Sequence, residues 1–266
     1  MDAPHQPARR KDLAARYTDF TADMLAAERT PIADARLGLP MTFVAGATNA
    51  GGLLAVGQYT SHMSGIVSAM ADNLVLGAGG LVAAGLVAFL PFVAGAATSA
   101  LLVNWARLHH VESQYALPLT LEALLLLAFG TLGGYAQHSQ PALLAAIAVL
   151  CFIMGLQNAT VTKMSGARIR TTHMTGVVTD IGIELGKLVY PNRQRRRRGA
   201  PLVLADREKL KLLTLFLLLF FLGGVTGALG FKYAGFIFCV PLALLVLLLA
   251  GPEAFRLGVR ALARRR

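Results

Sequence analysis

The sequence predicts an all-α membrane protein: about six transmembrane helices arranged as two inverted three-helix repeats, with candidate re-entrant half-helices. Three observations carry this. Hydrophobic residues make up 55% of the 266 positions and charged residues 15%, against roughly 45–50% and 25% in soluble domains. Six apolar runs are long enough to cross a bilayer. Two blocks of sequence recur, in the same order, in the two halves of the chain.

The first 37 residues are charged, with Arg9, Arg10, Lys11, Arg16 and Arg36 among them, and contain no apolar run suited to a signal-peptide core. Leu13, Tyr17, Phe20 and Met24 fall at helical spacing. They imply either a short amphipathic helix on the inner membrane surface, ended by Pro31, or a loosely ordered tail.

A spanning helix needs about 20 apolar residues. The six runs extend from Pro40 to Tyr59, Leu81 to Ala106, Leu117 to Tyr135, Pro141 to Thr160, Leu210 to Phe231 and Gly235 to Ala250. They divide the chain into a tail (1–37), a first three-span repeat (38–136), a second three-span repeat (137–252) and a basic tail (253–266). The second repeat includes an Arg-rich loop at 163–209.

Lys and Arg resist translocation, so their distribution sets orientation. They crowd the N-terminal tail, the connection at Arg107, the 163–209 loop and the C-terminal Arg264 to Arg266, whereas the opposite connections carry only Lys232. Both termini are therefore expected to be cytoplasmic, in the inner membrane of a bacterium. The net charge of +11 reads as this topology signal and not as a nucleic-acid surface. The run Arg193 to Arg198 is expected to face anionic lipid. Cys151 and Cys239 both lie in apolar runs and read as inert buried thiols.

The repeat is the most informative feature. Phe43-Val44-Ala45-Gly46-Ala47-Thr48-Asn49-Ala50 aligns with Phe152-Ile153-Met154-Gly155-Leu156-Gln157-Asn158-Ala159, sharing Phe, Gly, Asn and Ala. Thr60-Ser61-His62-Met63-Ser64-Gly65-Ile66-Val67 aligns with Thr171-Thr172-His173-Met174-Thr175-Gly176-Val177-Val178, with five of eight positions identical. A weaker match pairs Phe92 to Gly95 with Phe221 to Gly224. Three spans per unit is an odd number, so the second unit must insert upside down. That is the inverted repeat of many secondary transporters, whose sites lie near the midplane between repeats.

The blocks carry suitable polar groups. Gly46, Thr48, Asn49, Gly51 and Gly52 are expected to interrupt the first span, and Gly155, Gln157, Asn158 and Thr160 the fourth. Thr60-Ser61-His62 and Thr171-Thr172-His173 look like N-caps, with Gly65 and Gly176 permitting close backbone approach. The candidate substrate-binding residues are Asn49, Thr60, His62, Ser64, Gln157, Asn158, Thr171, His173 and Thr175. Half-helix N-termini there would favour an anionic group. In the alternative reading the Asn and His residues brace the two units against each other.

The stretches 65–76 and 176–188 are too short and polar to span, and are either interfacial or re-entrant helices. Asp180 and Glu184 share a helix face, as a proton or cation site or as a solvated cytoplasmic face.

Together the blocks and Asn73-Leu74-Val75-Leu76-Gly77 resemble the YoaK family, also called the DUF1275 domain, over about residues 38 to 250. This family consists of bacterial and fungal integral membrane proteins. In this chain Asn49 stands where the family commonly has an acidic residue, and Met63-Ser64-Gly65-Ile66 replaces Met-Thr-Gly-Asn. The resemblance implies a membrane location and brings no substrate or reaction with it.

A small-solute transporter or permease working by alternating access is the expected function. A non-transporting scaffold or lipid-binding protein is the alternative. An intramembrane enzyme fits less well: there is no Gly-x-Ser-x-Gly, no His-Glu-x-x-His and no phosphate loop. No cofactor or metal is expected, since His109-His110 has only Glu112 near it in sequence. Membrane lipids, an unidentified small solute and a second copy of the chain are the candidate partners.

Overall fold

The structure is a computed structural model that describes residues 13–25, 30–109, 111, 113–136, 139–166 and 170–263. Among these the secondary structure is helical throughout. The helices are α1 (Leu13–Leu25), α2 (Pro31–Val56), α3 (Met63–Val75), α4 (Gly79–Leu108), α5 (Ala116–Ala136), α6 (Gln140–Met164), α7 (Met174–Val189), α8 (Arg193–Arg197), α9 (Arg207–Ala234) and α10 (Cys239–Ala263). A 3-10 turn, Gly235–Phe238, joins the last two.

Five stretches of the described residues are long and apolar enough to cross a membrane. The fifth, Arg207–Gly251, holds 45 residues, which at 1.5 Å per residue is about twice the ~30 Å of a bilayer core. It is broken at Gly235, whose φ of 60° and ψ of −146° leave the helical region. This stretch therefore contains α9 and the part of α10 up to its Gly251 kink. The protein is an all-α, multi-pass membrane protein. Leu90, Leu101, Leu124, Phe221, Leu229 and Leu244 point outward, each more than half exposed, as lipid-facing side chains should.

Several local expectations are corrected. Pro31 does not end α1; it opens α2 at a first-turn position, where the missing N–H costs nothing, and Thr30 caps the helix by accepting from the Ala33 amide at 3.1 Å. The amphipathic segment does form a helix, but α1 buries Thr21, Met24 and Leu25, and Tyr17 Oη donates to the Leu248 carbonyl of α10. It docks on protein as well as facing outward. Nor do the glycine-rich blocks interrupt anything, since α2 and α6 run unbroken through Gly46–Gly52 and Gly155–Thr160.

Those glycines set the packing instead. A Cβ on Gly46 would strike the Phe220 carbonyl of α9, and one on Gly223 would strike the Phe43 carbonyl of α2. The same reciprocal collision relates Gly95 to Phe152 and Gly155 to Phe92, across α4 and α6. Four Phe-x-x-Gly stretches thus bring two helix pairs to backbone contact, as small residues do in membranes. In this contact pattern the counterpart of Phe92–Gly95 is Phe220–Gly223, one residue before the pairing read from sequence.

Residue numbers rise together along both interfaces. On α2 and α9, Phe43 meets Gly223, Ala47 meets Gly227 and Gly51 meets Phe231. On α4 and α6, Phe92 meets Gly155, and Ser99 Oγ lies 2.8 Å from Thr160 Oγ1. Both pairs are therefore parallel, as first-with-fifth and second-with-fourth members of an alternating six-helix series must be. The short helices fold back: α3 on α4, where Met70 covers Gly85, and α7 on α9. Extending the α3–α4 register puts the α3 N-terminus level with the middle of α4.

Candidate functional site

The turn between α2 and α3 and the turn between α6 and α7 are built alike. Asn49 Oδ1 accepts from the Ser61 amide at 3.3 Å and the Ser61 hydroxyl at 2.9 Å. Asn158 Oδ1 accepts from Thr172 Oγ1 at 2.8 Å and Thr171 Oγ1 at 3.4 Å. Each Asn, projecting from a helix, pins the turn that precedes the next one.

The capping expectation changes accordingly. The N-cap positions belong to His62 and His173, neither of which makes a side-chain cap bond. The hydroxyls just before them are committed to Asn49 and Asn158, so the first amides of α3 and α7 receive no side-chain acceptor from the cap. Gly65 and Gly176 do provide close approach, to the imidazole of the same turn: a Cβ on Gly65 would overlap the His62 ring, and one on Gly176 would come within 2.7 Å of His173 Nδ1.

Between these turns lies a cleft of about 360 Å³, lined by Asn49, Tyr59, Ser61, His62, Thr172, Met174, Thr175 and Phe220. Its size falls in the range of small-molecule sites, about 300–1,000 Å³. Of the nine residues singled out by sequence, Asn49, His62 and Thr175 line it. Asn158 supports its wall through Thr172. Thr60 and Thr171 are fully buried beneath the turns, and Ser64 and His173 are exposed on the first turns of α3 and α7. Gln157 points elsewhere, donating from Nε2 to the Met41 carbonyl at 3.2 Å.

Sequence reasoning passed over Tyr59, Ser61, Thr172, Met174 and Phe220 as lining residues. Ser61, Thr172 and Met174 stood inside the matched blocks and were legible there. Phe220 reaches the cleft because its carbonyl packs on Gly46, which no local pattern announces. The lining set contains hydroxyls, an amide and an imidazole but no carboxylate, Lys or Arg. Such a wall offers donors to a polar solute rich in acceptors.

A family model described as "Protein of unknown function (DUF1275)" matches residues 37–251, most of the chain. The chain belongs to the DUF1275 family. No curated protein and no solved structure matches it. The DUF1275 match runs from within α2 to the Gly251 kink of α10, and takes in both turns and the whole cleft.

A second polar cluster ties α7 to the start of α9. Glu184, with a side chain only 2% exposed, accepts from Lys187 Nζ at 2.8 Å and from the Asp206 amide at 2.9 Å. Lys209 reaches Asp180 at 3.3 Å and Glu184 at 3.9 Å. The Lys187 hydrogen bond, then the Asp206 amide, hold the Glu184 carboxyl below its ordinary range. Asp180 and Glu184 are thus neither a vacant cation site nor a wholly solvated face; they clamp the α9 N-terminus, which Asp206 caps through the Lys209 amide at 2.9 Å. His109 stacks on Trp105 with ring centroids 4.3 Å apart. Among the described residues no three His, Cys, Asp or Glu gather as a metal site.

Proposed function

We propose that this DUF1275 protein is a small-solute transporter or permease of the bacterial cytoplasmic membrane, working by alternating access, with an anionic or acceptor-rich substrate and both termini cytoplasmic. The observation that carries the reading is the cleft: residues of both matched blocks converge on one cavity between the halves, as expected at the interface of an inverted repeat. A scaffold has no need for a 360 Å³ cavity walled by two copies of the same polar turn.

The packing supports a particular pair of moving bodies. Backbone-contact glycines weld α2 to α9 and α4 to α6, so the two three-span halves interlock. The natural motion is a rocking of α2, α7 and α9 against α3, α4 and α6, each body drawing helices from both halves. The cleft opens to one side or the other as they tilt, and a solute shifts the balance only by binding one state better.

In the same reading the Arg193–Arg198 stretch meets anionic lipid on the cytoplasmic side. Arg195 is held by the Pro201 carbonyl at 2.9 Å and by the Tyr190 ring at 5.9 Å, while Arg196, Arg197 and Arg198 are exposed. Neutralising the last three is expected to weaken association with anionic vesicles and to leave solute affinity unchanged.

The deciding experiment compares metabolite uptake and efflux in deletion, overexpressing and His62→Ala cells. A solute whose flux follows wild-type abundance and falls in the variant supports transport. Identical profiles in all strains favour a static scaffold.

A further inference from the structure

Glu122 lies on α5 inside a membrane-spanning helix, is 1% exposed, and neither of its carboxyl oxygens has a hydrogen-bond partner among the described residues. It is the only acidic residue in the six apolar segments. Its polar neighbour is Gln157 of α6, whose Nε2 gives one of its two hydrogens to the Met41 carbonyl of α2 and whose Oε1 lacks a donor. The Glu122 carboxyl and the Gln157 amide oxygen, none of whose oxygens has a hydrogen-bond donor, therefore sit side by side at a buried junction of three helices.

An ionised carboxylate offers no donor and is costly to bury unpaired. Cations are not at hand. Among residues with described side chains, α4 brings Arg107 and His109, α6 brings Cys151 and Lys163, α10 brings Cys239, and α2, reached through Gln157, brings Asp34 and Arg36. Lys163 is engaged by Asn104 at 3.3 Å and Arg107 by Gln114 at 2.8 Å, and none of these groups bonds to Glu122.

One proton removes the buried charge and supplies the donor that Gln157 Oε1 lacks. We propose that Glu122 is a proton-binding site: its carboxyl takes up one proton from water, with no other bond made or broken, and the resulting O–H donates to Gln157 Oε1. The chain Glu122–Gln157–Met41 then joins α5, α6 and α2. Losing the proton leaves an unpaired carboxylate between them, so proton release is linked to these helices parting. This site lies apart from the cleft and does not depend on any solute being carried.

The test is infrared spectroscopy of the full chain in lipid nanodiscs at neutral pH. The wild type should show the carbonyl band of a protonated carboxylic acid, shifting in heavy water and on labelling glutamate carboxyls with carbon-13. Glu122→Gln should lose that band and keep the wild-type melting temperature, because its amide can donate to the same oxygen; Glu122→Ala should melt lower. The isotope shift in unmutated protein reads the site even if a variant fails to fold. Absence of a protonated glutamate band in the wild type overturns the proposal. So does its persistence in Glu122→Gln, or a carboxylate band that responds to added sodium, which would make the ligand a metal cation.

Discussion

Asn49 and Asn158 each spend a side-chain oxygen on the turn that positions a histidine, so their loss should be felt first as stability. Asn49→Ala and Asn158→Ala are expected to cost about 1 kcal/mol each, the worth of a typical net hydrogen bond, measured as a lower melting temperature and lower membrane abundance. His62→Ala removes a cleft-lining group that caps nothing and should reduce flux with abundance unchanged. At the residue level the matched polar positions were legible, but their division of labour was not: sequence shows that Asn and His recur together, and only the fold shows that both Asn side chains brace turns while Asn49 and His62, and not His173, line the cavity. Glu184 gives a pH prediction. Its folded carboxyl titrates below the ordinary range of about 4.3–4.5, so the stability it contributes is present above that range and is lost as pH falls through its depressed value. Glu184→Gln should therefore be less stable than wild type at neutral pH, and the gap should close on acidification below the usual carboxylate range.

At the scale of the helices, glycine is the deciding residue. In water a mid-helix glycine weakens a helix by up to about 1 kcal/mol, which is why the Gly46–Gly52 stretch reads as an interruption. In the membrane the same absence of a Cβ admits a neighbouring carbonyl, and α2 stays whole. Gly46→Ala, Gly95→Ala, Gly155→Ala and Gly223→Ala should each cost about 1–3 kcal/mol, as overpacking does, and lower the yield of folded protein. Gly134→Ala and Gly182→Ala, with nothing within 4 Å of an added Cβ, should not; equal losses at both sets would show that the crossings do not set the packing. The six apolar runs were legible because length and hydropathy alone reveal spans. Glu122 was equally visible as the one acid inside them, yet its meaning needed Gln157, which the fold supplies from another helix.

For the whole molecule, the proposed mechanism has six helices alternating across the membrane and the cleft between their two interlocked bodies reached from each side in turn. Orientation is tested by single cysteines in a background lacking Cys151 and Cys239: Lys232 and Ser139 should react with an impermeant thiol reagent from outside intact cells, and Arg107 and Arg197 should not. The alternating charge of the loops made this order readable in sequence, whereas the pairing of first with fifth helix and second with fourth is a long-range property that no local pattern encodes. The most direct test of the central claim is a cysteine at His62, labelled in right-side-out and in inside-out membrane vesicles. Alternating access predicts that the reagent reaches it from both sides, and that cross-linking the cleft in one state confines labelling to one of them. Labelling from a single side in both preparations, unaffected by the cross-link, would contradict the account.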